Sequence, residues 1–423
     1  MKMRPLLSIR KNSIFVLFLV LLLTTEFYYI EVGAGVARVY HFLAVMVVFL
    51  FLAAVPKLFK SKVFFSLLLF FVVNIFTAVL SDHPGQAFAS LTSFAANIAI
   101  VMAVALLLVT NWISIECVTK IILMVTIASI IWCLIQIAAY RMGFVLALSE
   151  QQQAQIFIGY GPAFRTEANT FGKFLVFPIL FFLPLLIRSY RDTRLRFFYL
   201  LMLVGVLFSF TRTAIVGILA GVLFAFFWHS IQGRFVMVSS RMVLIAIPVV
   251  VLLGLTASGA LPVSDYTRHK LDTLFIEEEW TEGGSSAYRL ESMEAVIASA
   301  LADDKKMILG NGWGQTFVYI RGLKVQAGGA DTINILGYAG LVGVVFYFLY
   351  TLIFIGTLAR VARHCSDPDL AMFAEGLLFA AVGMFVTAQM SGYLIAPEYY
   401  LLLGAGIYTG LAQKQLYRRG VFP

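Results

Sequence analysis

The stretch FFYLLMLVGVLFSFTRTAIVGILAGVLFAFF, residues Phe197 to Phe227, contains a single charged side chain, that of Arg212. One helix over this stretch would be about 46 Å long, whereas the hydrocarbon core of a bilayer is about 30 Å thick. A turn near Ser209 to Arg212 divides the stretch into two short spans, which a protein-lined interior tolerates better than lipid does. The sequence therefore predicts a helical hairpin with Arg212 at its tip.

The composition of the whole chain is typical of a membrane protein. Of its 423 residues, 61% are hydrophobic and 13% are charged, against about 45–50% and about 25% in an average soluble domain. The apolar runs are continuous rather than alternating, which favours helices over a β-barrel. We predict an all-α, polytopic membrane protein of about twelve transmembrane helices. They cover residues 14–31, 36–55, 63–80, 87–109, 118–140, 171–187, 197–211, 212–229, 242–258, 332–358, 370–390 and 399–413.

Basic residues orient these helices. The positive-inside rule places short loops rich in Lys and Arg in the cytoplasm, and RSYRDTRLR (188–196) is such a loop. The loops SDHPGQ (81–86) and SGYLIAPEYY (391–400) contain no Lys or Arg. The hairpin is needed for this assignment, because one helix over 197–229 would move the basic residues of later loops to the outside. Both termini are therefore predicted to be cytoplasmic.

Two predicted outer segments are long enough to hold a functional site. One covers 141–170, and the other, 259–331, is the only long polar stretch of the sequence. The chain then divides into nine spans in 1–258, the large loop 259–331, and three spans with a cytoplasmic tail in 332–423. The two six-helix halves share no repeated motif, which argues against a transporter built from two such halves.

The large loop contains a segment with helical periodicity, Tyr288 to Ala302. Its apolar residues form one stripe, as expected of an amphipathic helix that lies over the membrane. The stripe consists of Leu290, Met293, Val296, Ile297 and Ala300. The net charge of +9 arises from short basic clusters between spans rather than from a continuous basic face, so nucleic acid is not an expected partner.

Arginines near the predicted outer face are candidate phosphate ligands, because a guanidinium binds phosphate through two coplanar hydrogen bonds. Arg212 is the strongest candidate, since a charge near a bilayer usually faces a cavity, a partner or a ligand. Its alternative role is to reach the lipid headgroups. Arg165 either binds phosphate or is an interfacial residue paired with Glu167. Arg38 shares a helix face with His41, and a structural role is the first interpretation for both.

Carboxylates of the same outer segments are candidate general bases. Asp331 lies where polar loop becomes apolar helix, so it is either a helix N-cap or a base. Glu167, Glu291 and Glu294 are further candidates, whereas the acidic run 277–279 is typical of a solvated patch.

The motif GNGWG, Gly310 to Gly314, lacks the preceding strand and the βαβ unit of a nucleotide site. It predicts a tight loop or a close approach of the backbone to a ligand. The three cysteines, Cys117, Cys133 and Cys365, form no CxxC pair. They predict neither a disulfide framework nor a zinc site.

Four motifs resemble the O-antigen ligase and Wzy-type polymerase superfamily of bacterial inner-membrane enzymes. They are FRTEANTFGKFL (164–175), SFTRTAIVGILAG (209–221), YRLESMEAVI (288–297) with GNGWG after it, and TINILGYAGLVG (332–343). Their order, with one large outer loop late in the chain, matches the family. The resemblance implies a GT-C-like membrane glycosyltransferase, related in fold to the peptidoglycan polymerases. Such an enzyme uses a polyprenyl-diphosphate-linked sugar and needs neither a cofactor nor a metal.

The resemblance also implies roles for individual residues. The donor diphosphate contacts map onto Arg165, Arg212 and Arg289. The resemblance supplies no carboxylate for the proton-accepting role, which we assign instead to the outer carboxylates, Asp331 first, with Glu167 and Glu291 as the other catalytic candidates. Secondary candidates are Arg38, Asn169 and Arg321. Ligases of the family have a His-Asn pair eleven and ten residues before the glycine of a GxxG. Counted back from Gly340, these positions hold Gly329 and Ala330.

Because the ligase histidine is missing, we favour a polymerase of O-antigen or exopolysaccharide over a ligase that joins glycan to lipid A-core. A polysaccharide flippase or other transporter, and a structural membrane subunit, are the remaining alternatives. The resemblance implies an undecaprenyl-diphosphate-linked oligosaccharide and membrane lipid as partners, with a chain-length regulator protein as a further one. The enzyme would lie in the bacterial cytoplasmic membrane with its site facing the periplasm.

Overall fold

In the computed structural model of the chain, most of the described residues are helical. It describes residues 13–24, 29–32, 35–157, 161–165, 167–209, 211–233, 285–320, 323–326, 329–394 and 396–418. Seven of the described helices are long and apolar enough to cross a membrane. The protein is therefore a polytopic α-helical membrane protein, as predicted at that level. The predicted span 242–258 and the candidate Arg321 lie outside the described residues.

The described helices and strands are numbered here in chain order. The helices are α1 (Ser13–Thr24), α2 (Val39–Leu50), α3 (Val55–Leu58), α4 (Lys62–Val79), α5 (Pro84–Val109), α6 (Ile115–Arg141), α7 (Glu150–Phe157), α8 (Ala168–Arg188), α9 (Thr193–Ser209), α10 (Arg212–Ile231), α11 (Ser285–Leu301), α12 (Asp304–Leu309), α13 (Asp331–His364), α14 (Pro368–Ala388) and α15 (Pro397–Arg418). The strands are β1 (Tyr29–Val32), β2 (Gly35–Arg38), β3 (Phe317–Ile320) and β4 (Leu323–Gln326). They form two antiparallel hairpins, β1–β2 and β3–β4.

The first two predicted spans differ from the structure. The helix expected over 14–31 ends at Thr24, and β1 and β2 follow it. The glycines of EVGAG, residues 31–35, have low helix propensity and disfavour a helix where the two strands meet. The span expected over 36–55 begins as β2, and its helix bends by 71° after Leu50. Pro56 lies just beyond this bend. Its ring lacks an N–H and would clash with the carbonyl four residues earlier in a straight helix.

The chain reverses between α9 and α10, as predicted. α8 ends at Arg188, and α9 begins after a short connection. α9 then runs back to the beginning of α8. There Gly172 of α8 approaches Ser209 so closely that a Cβ at Gly172 would lie 2.4 Å from the Ser209 Oγ. The two helices are therefore antiparallel.

α10 then runs back along α8. At its start, the Thr211 hydroxyl donates to the Ala168 carbonyl at 3.3 Å. Near its end, the Trp228 indole donates to the Glu375 carboxylate at 3.2 Å, and Arg188 at the end of α8 donates to the same carboxylate at 2.7 Å. The residues at the predicted tip of the hairpin therefore lie where α8 begins.

α8 and α14 are the most buried of the seven candidate spans, and α14 packs along α8, α10 and α13. Small residues allow α10 and α14 to approach closely, as is common between membrane helices. A Cβ at Gly217 would lie 2.8 Å from the Gly383 carbonyl oxygen, and one at Gly383 would lie 2.7 Å from that of Gly217. These helices form the framework that positions the candidate site.

α13 is interrupted at Gly340, whose φ of 61° and ψ of −163° are not helical. The GNGWG loop packs against this break. Its backbone donates from Asn311 to the Gly337 carbonyl at 2.8 Å and from Gly312 to the Tyr338 carbonyl at 2.9 Å, which satisfies acceptors that the break leaves open. The backbone of the loop thus approaches α13 of the same chain, whereas the predicted approach was to a ligand. The break sets the direction of the short segment that starts with Asp331.

Candidate functional site

Segments that are remote in sequence meet at one end of the bundle, where α8, α10 and α13 begin and α14 ends. We call this the Asp331 end. Besides the contact between the starts of α8 and α10, the Thr387 hydroxyl of α14 donates to the Thr213 carbonyl of α10 at 3.3 Å. Residues 389–394, which follow α14, we call the 389–394 segment. Its Gly392 N–H donates to the Gly329 carbonyl just before α13 at 2.8 Å.

Asp331 is buried at this end and ties α13 to the 389–394 segment. Both carboxylate oxygens accept from the Tyr393 N–H at 3.0 Å, and one also accepts from the Leu394 N–H at 3.5 Å. The N-cap of α13 is Ala330, and Asp331 is the first residue of the helix. The interpretation of Asp331 as an N-cap is therefore wrong, because its carboxylate holds another segment rather than its own helix.

Lys173, in the second turn of α8, lies beside Asp331. Its ammonium donates to the carbonyls of Gly392 at 3.2 Å and Ser391 at 3.5 Å, and it is close enough to attract the Asp331 carboxylate. The Tyr393 hydroxyl donates in turn to the Lys173 carbonyl. Lys173 thus holds the 389–394 segment through its carbonyls, and Asp331 holds it through its N–H groups.

Arg289 of α11 reaches the same segment. Its guanidinium donates to the Met390 carbonyl at 3.5 Å and attracts the carboxylate of Glu167, the N-cap of α8. Partial burial lowers the pKa of Arg289, and Glu167 opposes that shift. Glu167 itself is exposed, whereas Arg289 is half-buried. We call Glu167, Lys173, Arg289 and Asp331 the charged cluster.

Arg212 starts α10 at the same end and is half-buried. It follows Thr211, which contacts the start of α8, and precedes Thr213, which contacts the end of α14. The hairpin therefore brings Arg212 to the end of the bundle that holds the charged cluster. With Lys173 and Arg289 it supplies three cations there, against the carboxylates of the cluster.

No family model matches the chain, and neither does any curated protein. Half-buried guanidinium groups bind oxyanions more strongly than fully hydrated ones, because the surrounding dielectric constant is lower. An exposed carboxylate beside them can accept a proton from a bound hydroxyl. The arrangement can thus bind an anionic group and assist a proton transfer next to it.

Arg165 has different surroundings from Arg289. Its side chain is only 3% exposed, and its guanidinium lies 3.2 Å from both the Glu398 carboxylate and the Leu23 carbonyl. It also lies over the Phe174 ring, 4.6 Å from the centroid. The expected pairing with Glu167 is replaced by an ion pair with Glu398. Arg165 thereby joins α1, α8 and α15.

Two buried glutamines hold the loop that presents Arg165. The Gln152 amide donates to the carbonyls of Ala163 at 3.0 Å and Arg165 at 2.6 Å. The Gln136 side chain of α6 accepts from the Ala163 N–H at 3.0 Å and donates to Gln152 at 3.2 Å. These hydrogen bonds therefore hold the predicted outer loop 141–170 against α6.

The remaining candidates lie around this site. Arg38 donates to the Tyr40 hydroxyl at 3.2 Å, and His41 lies 3.1 Å from the Asn97 side-chain oxygen. These contacts fit the structural role assigned to both residues. Asn169 is half-buried in the first turn of α8, and Glu291 is half-buried on α11.

The predicted amphipathic helix is present as α11, but only some residues of its apolar stripe are buried. Val296 and Ala300 are buried, and Val296 packs with Val318 of β3. Leu290 and Ile297 stay exposed at 44% and 38%. The helix therefore docks on the protein through one edge of the stripe and presents the other edge outward.

Sequence reasoning missed Lys173, Glu398 and the 389–394 segment. The criterion that selected Arg212, a lone charge in an apolar stretch, also applies to Lys173 in FGKFLVFP and to Glu398 in PEYYLLL. The segment itself offered no such signal, because it acts through backbone N–H and carbonyl groups. Only the fold shows which side chains these groups meet.

Proposed function

We propose that the protein is a polymerase of a lipid-linked surface polysaccharide, O-antigen or exopolysaccharide, in the bacterial cytoplasmic membrane. The observation that supports this most directly is the convergence of residues from three motifs that resemble the O-antigen ligase and polymerase superfamily with the residue just before the fourth motif. Glu167 and Lys173, Arg212 and Arg289 come from the three motifs, Asp331 directly precedes TINILGYAGLVG, and all of them lie at one end of the bundle. That end would face the periplasm.

The reaction joins a donor glycan to an acceptor sugar. A hydroxyl of the acceptor attacks the anomeric carbon of the donor, the bond from that carbon to the diphosphate oxygen breaks, and polyprenyl diphosphate leaves. The hydroxyl proton passes to a carboxylate. A single displacement of this kind inverts the anomeric centre. Negative charge grows on the diphosphate as the bond breaks, and cations already in position stabilise it. Arg212 and Arg289 supply those cations.

The two carboxylates of the charged cluster then have different roles. Both oxygens of Asp331 already accept backbone hydrogen bonds, and the side chain is buried. Asp331 therefore positions the 389–394 segment and, through it, Lys173. Glu167 is exposed, and its carboxylate interacts electrostatically with the Arg289 guanidinium. It is therefore the carboxylate that a bound hydroxyl could reach. We assign the general base to Glu167.

The test is polymerisation by purified protein in liposomes that contain undecaprenyl-diphosphate-linked repeat units. Arg289→Ala should lower the rate of chain extension by about 10²-fold or more, because a preorganised cation is lost from the leaving group. Arg289→Lys should recover only part of the rate, since lysine lacks the planar fork. Lys305→Ala is the matched control, because Lys305 is an exposed cation whose ion pair is with exposed Asp82 at 3.6 Å.

Chain extension by Arg289→Ala at the wild-type rate would remove Arg289 from the donor site. Mass analysis of glycans in a deletion strain tests the reaction class independently. Single repeats on the outer leaflet support a polymerase, whereas free undecaprenyl-linked polymer indicates a ligase. Repeats that stay on the inner leaflet indicate a flippase.

A further inference from the structure

A second polar site lies at the opposite end of the bundle, which we call the Glu375 end. A cavity of about 710 Å³ opens there between the ends of α8, α10 and α13 and the start of α14. Its polar lining includes Arg188, Arg363, Gln232 and Glu375. Its volume is within the range of small-molecule sites, about 300–1,000 Å³. None of its lining residues belongs to the charged cluster.

The buried carboxylate of Glu375 lines this cavity, and both of its oxygens accept hydrogen bonds from other residues of the protein. One oxygen of the Glu375 carboxylate accepts from Arg188 at 2.7 Å, and the other accepts from the Trp228 indole at 3.2 Å. His229 lies 3.7 Å from this second oxygen. A buried carboxylate with these partners holds Arg188 in a defined orientation. Arg188 is still 37% exposed, so the rest of its guanidinium can face the cavity.

Arg363 supplies a second guanidinium from the last turn of α13. It is exposed, and it makes no hydrogen bond or ion pair with any residue that the structure describes. The charged residues that line the cavity are Arg188, Arg363 and Glu375. Both oxygens of the Glu375 carboxylate already accept hydrogen bonds, so a ligand would meet a net positive charge.

We propose that this cavity binds a phosphate group through Arg363 and Arg188, presented by an anionic phospholipid headgroup or by a soluble phosphate. Two guanidiniums match the oxygens of a phosphate better than two ammonium groups would. The positive-inside rule assigns this end to the cytoplasmic leaflet, which is rich in anionic lipids. Ile231 lines the same cavity and is 75% exposed, so an acyl chain would find an apolar contact beside the headgroup. The proposal does not depend on the glycosyl transfer reaction.

Binding can be measured with the full chain in a neutral detergent by native mass spectrometry and by the shift of the unfolding temperature. The probes are dioctanoyl phosphatidylglycerol, dioctanoyl phosphatidylcholine and inorganic phosphate at constant ionic strength. Arg363→Ala and Arg363→Gln should weaken phosphatidylglycerol binding about tenfold or more, as expected for a lost charged hydrogen bond. Arg360→Ala is the matched control, because Arg360 is exposed on the same helix but does not line the cavity.

Phosphatidylglycerol binding that falls in both Arg363 variants and persists in Arg360→Ala supports a lipid headgroup site. Binding of inorganic phosphate alone, lost in the same variants, supports the site and assigns it to a soluble phosphate. Equal binding by Arg363→Ala and Arg360→Ala would overturn the proposal. So would phosphatidylcholine that binds as tightly as phosphatidylglycerol, because the headgroup charge would then be irrelevant.

Discussion

Arg165 and Arg289 are predicted from the sequence to bind the same diphosphate, yet the structure surrounds them differently. The guanidinium of Arg165 is enclosed by Glu398, the Leu23 carbonyl and the Phe174 ring. The guanidinium of Arg289 is half-buried, and its hydrogen bond to the Met390 carbonyl is long at 3.5 Å. The first arginine holds three helices together, whereas the described residues accept a single hydrogen bond from the side chain of the second.

The difference shows that a lone arginine in an apolar sequence indicates a buried polar contact or a ligand site, and that the sequence does not distinguish the two. Loss of an arginine that binds a buried carboxylate destabilises the fold. Loss of one that faces a ligand affects activity first. Thermal stability and chain extension, measured on the same variants, separate these two roles.

The largest loss of stability is expected for Arg165→Ala. The variant leaves the buried Glu398 carboxylate without its guanidinium partner, which costs about 3–5 kcal/mol. Thermal unfolding followed by tryptophan fluorescence should show a much lower midpoint. The double variant Arg165→Met with Glu398→Leu removes both charges and should recover most of the loss. If Arg165→Ala unfolds like the wild type but extends no chains, Arg165 contacts the substrate. Its role would then not differ from that of Arg289.

Gly340→Ala should have the next largest effect. A Cβ at Gly340 would lie 2.3 Å from the backbone of Ile308, and φ is 61°. The strain is expected to cost about 1–3 kcal/mol and to displace the segment that begins with Asp331. Gly356→Ala in the same helix is the control, because a Cβ there meets nothing within 4 Å. It should be neutral, or stabilising by up to about 1 kcal/mol. Equal stability of the two variants would disprove the strained break.

Asp331→Asn should cost about 1–2 kcal/mol, because it removes the charge beside Lys173 and one of the two acceptor oxygens of the Tyr393 N–H. Asp367→Asn is the comparison, since a single oxygen of Asp367 accepts both of its backbone bonds and an amide oxygen can replace it. That variant should change stability by less than about 0.5 kcal/mol. If Asp331→Asn keeps full stability and loses all chain extension, Asp331 rather than Glu167 is the base.

Glu167→Gln should have the smallest effect on stability, about 0.5 kcal/mol or less, since the side chain is exposed. It should lower chain extension by about 10²–10⁴-fold, which is the usual contribution of a general base. The control is Glu116→Gln, which breaks a partly exposed pair with Lys120 at 3.0 Å and should leave both properties nearly unchanged. Extension that survives in Glu167→Gln would exclude Glu167 as the base.

The helical hairpin was predictable because two local quantities decide it. A span of about 46 Å does not fit a hydrocarbon core of about 30 Å, and the one charge in the stretch prefers an end of a helix to its middle. The position of α11 was predictable for a similar reason, since its periodicity lies within one short segment. The break at Gly340 was not, because GYAGLVG contains three glycines and the sequence does not distinguish the one that takes a positive φ from the two that stay helical. The loop that packs against the break is some distance away in the sequence.

The sequence by itself determined that this chain is a polytopic helical membrane protein, where most of its helices lie, and that it turns back at Arg212. These features follow from hydrophobic length and from the cost of placing a charge in lipid, which are local properties. Only the tertiary structure decided that Arg165 pairs with Glu398, 233 residues away, and that Asp331 holds the 389–394 segment. Such pairings depend on which helices pack together, and a single sequence contains no distance between them.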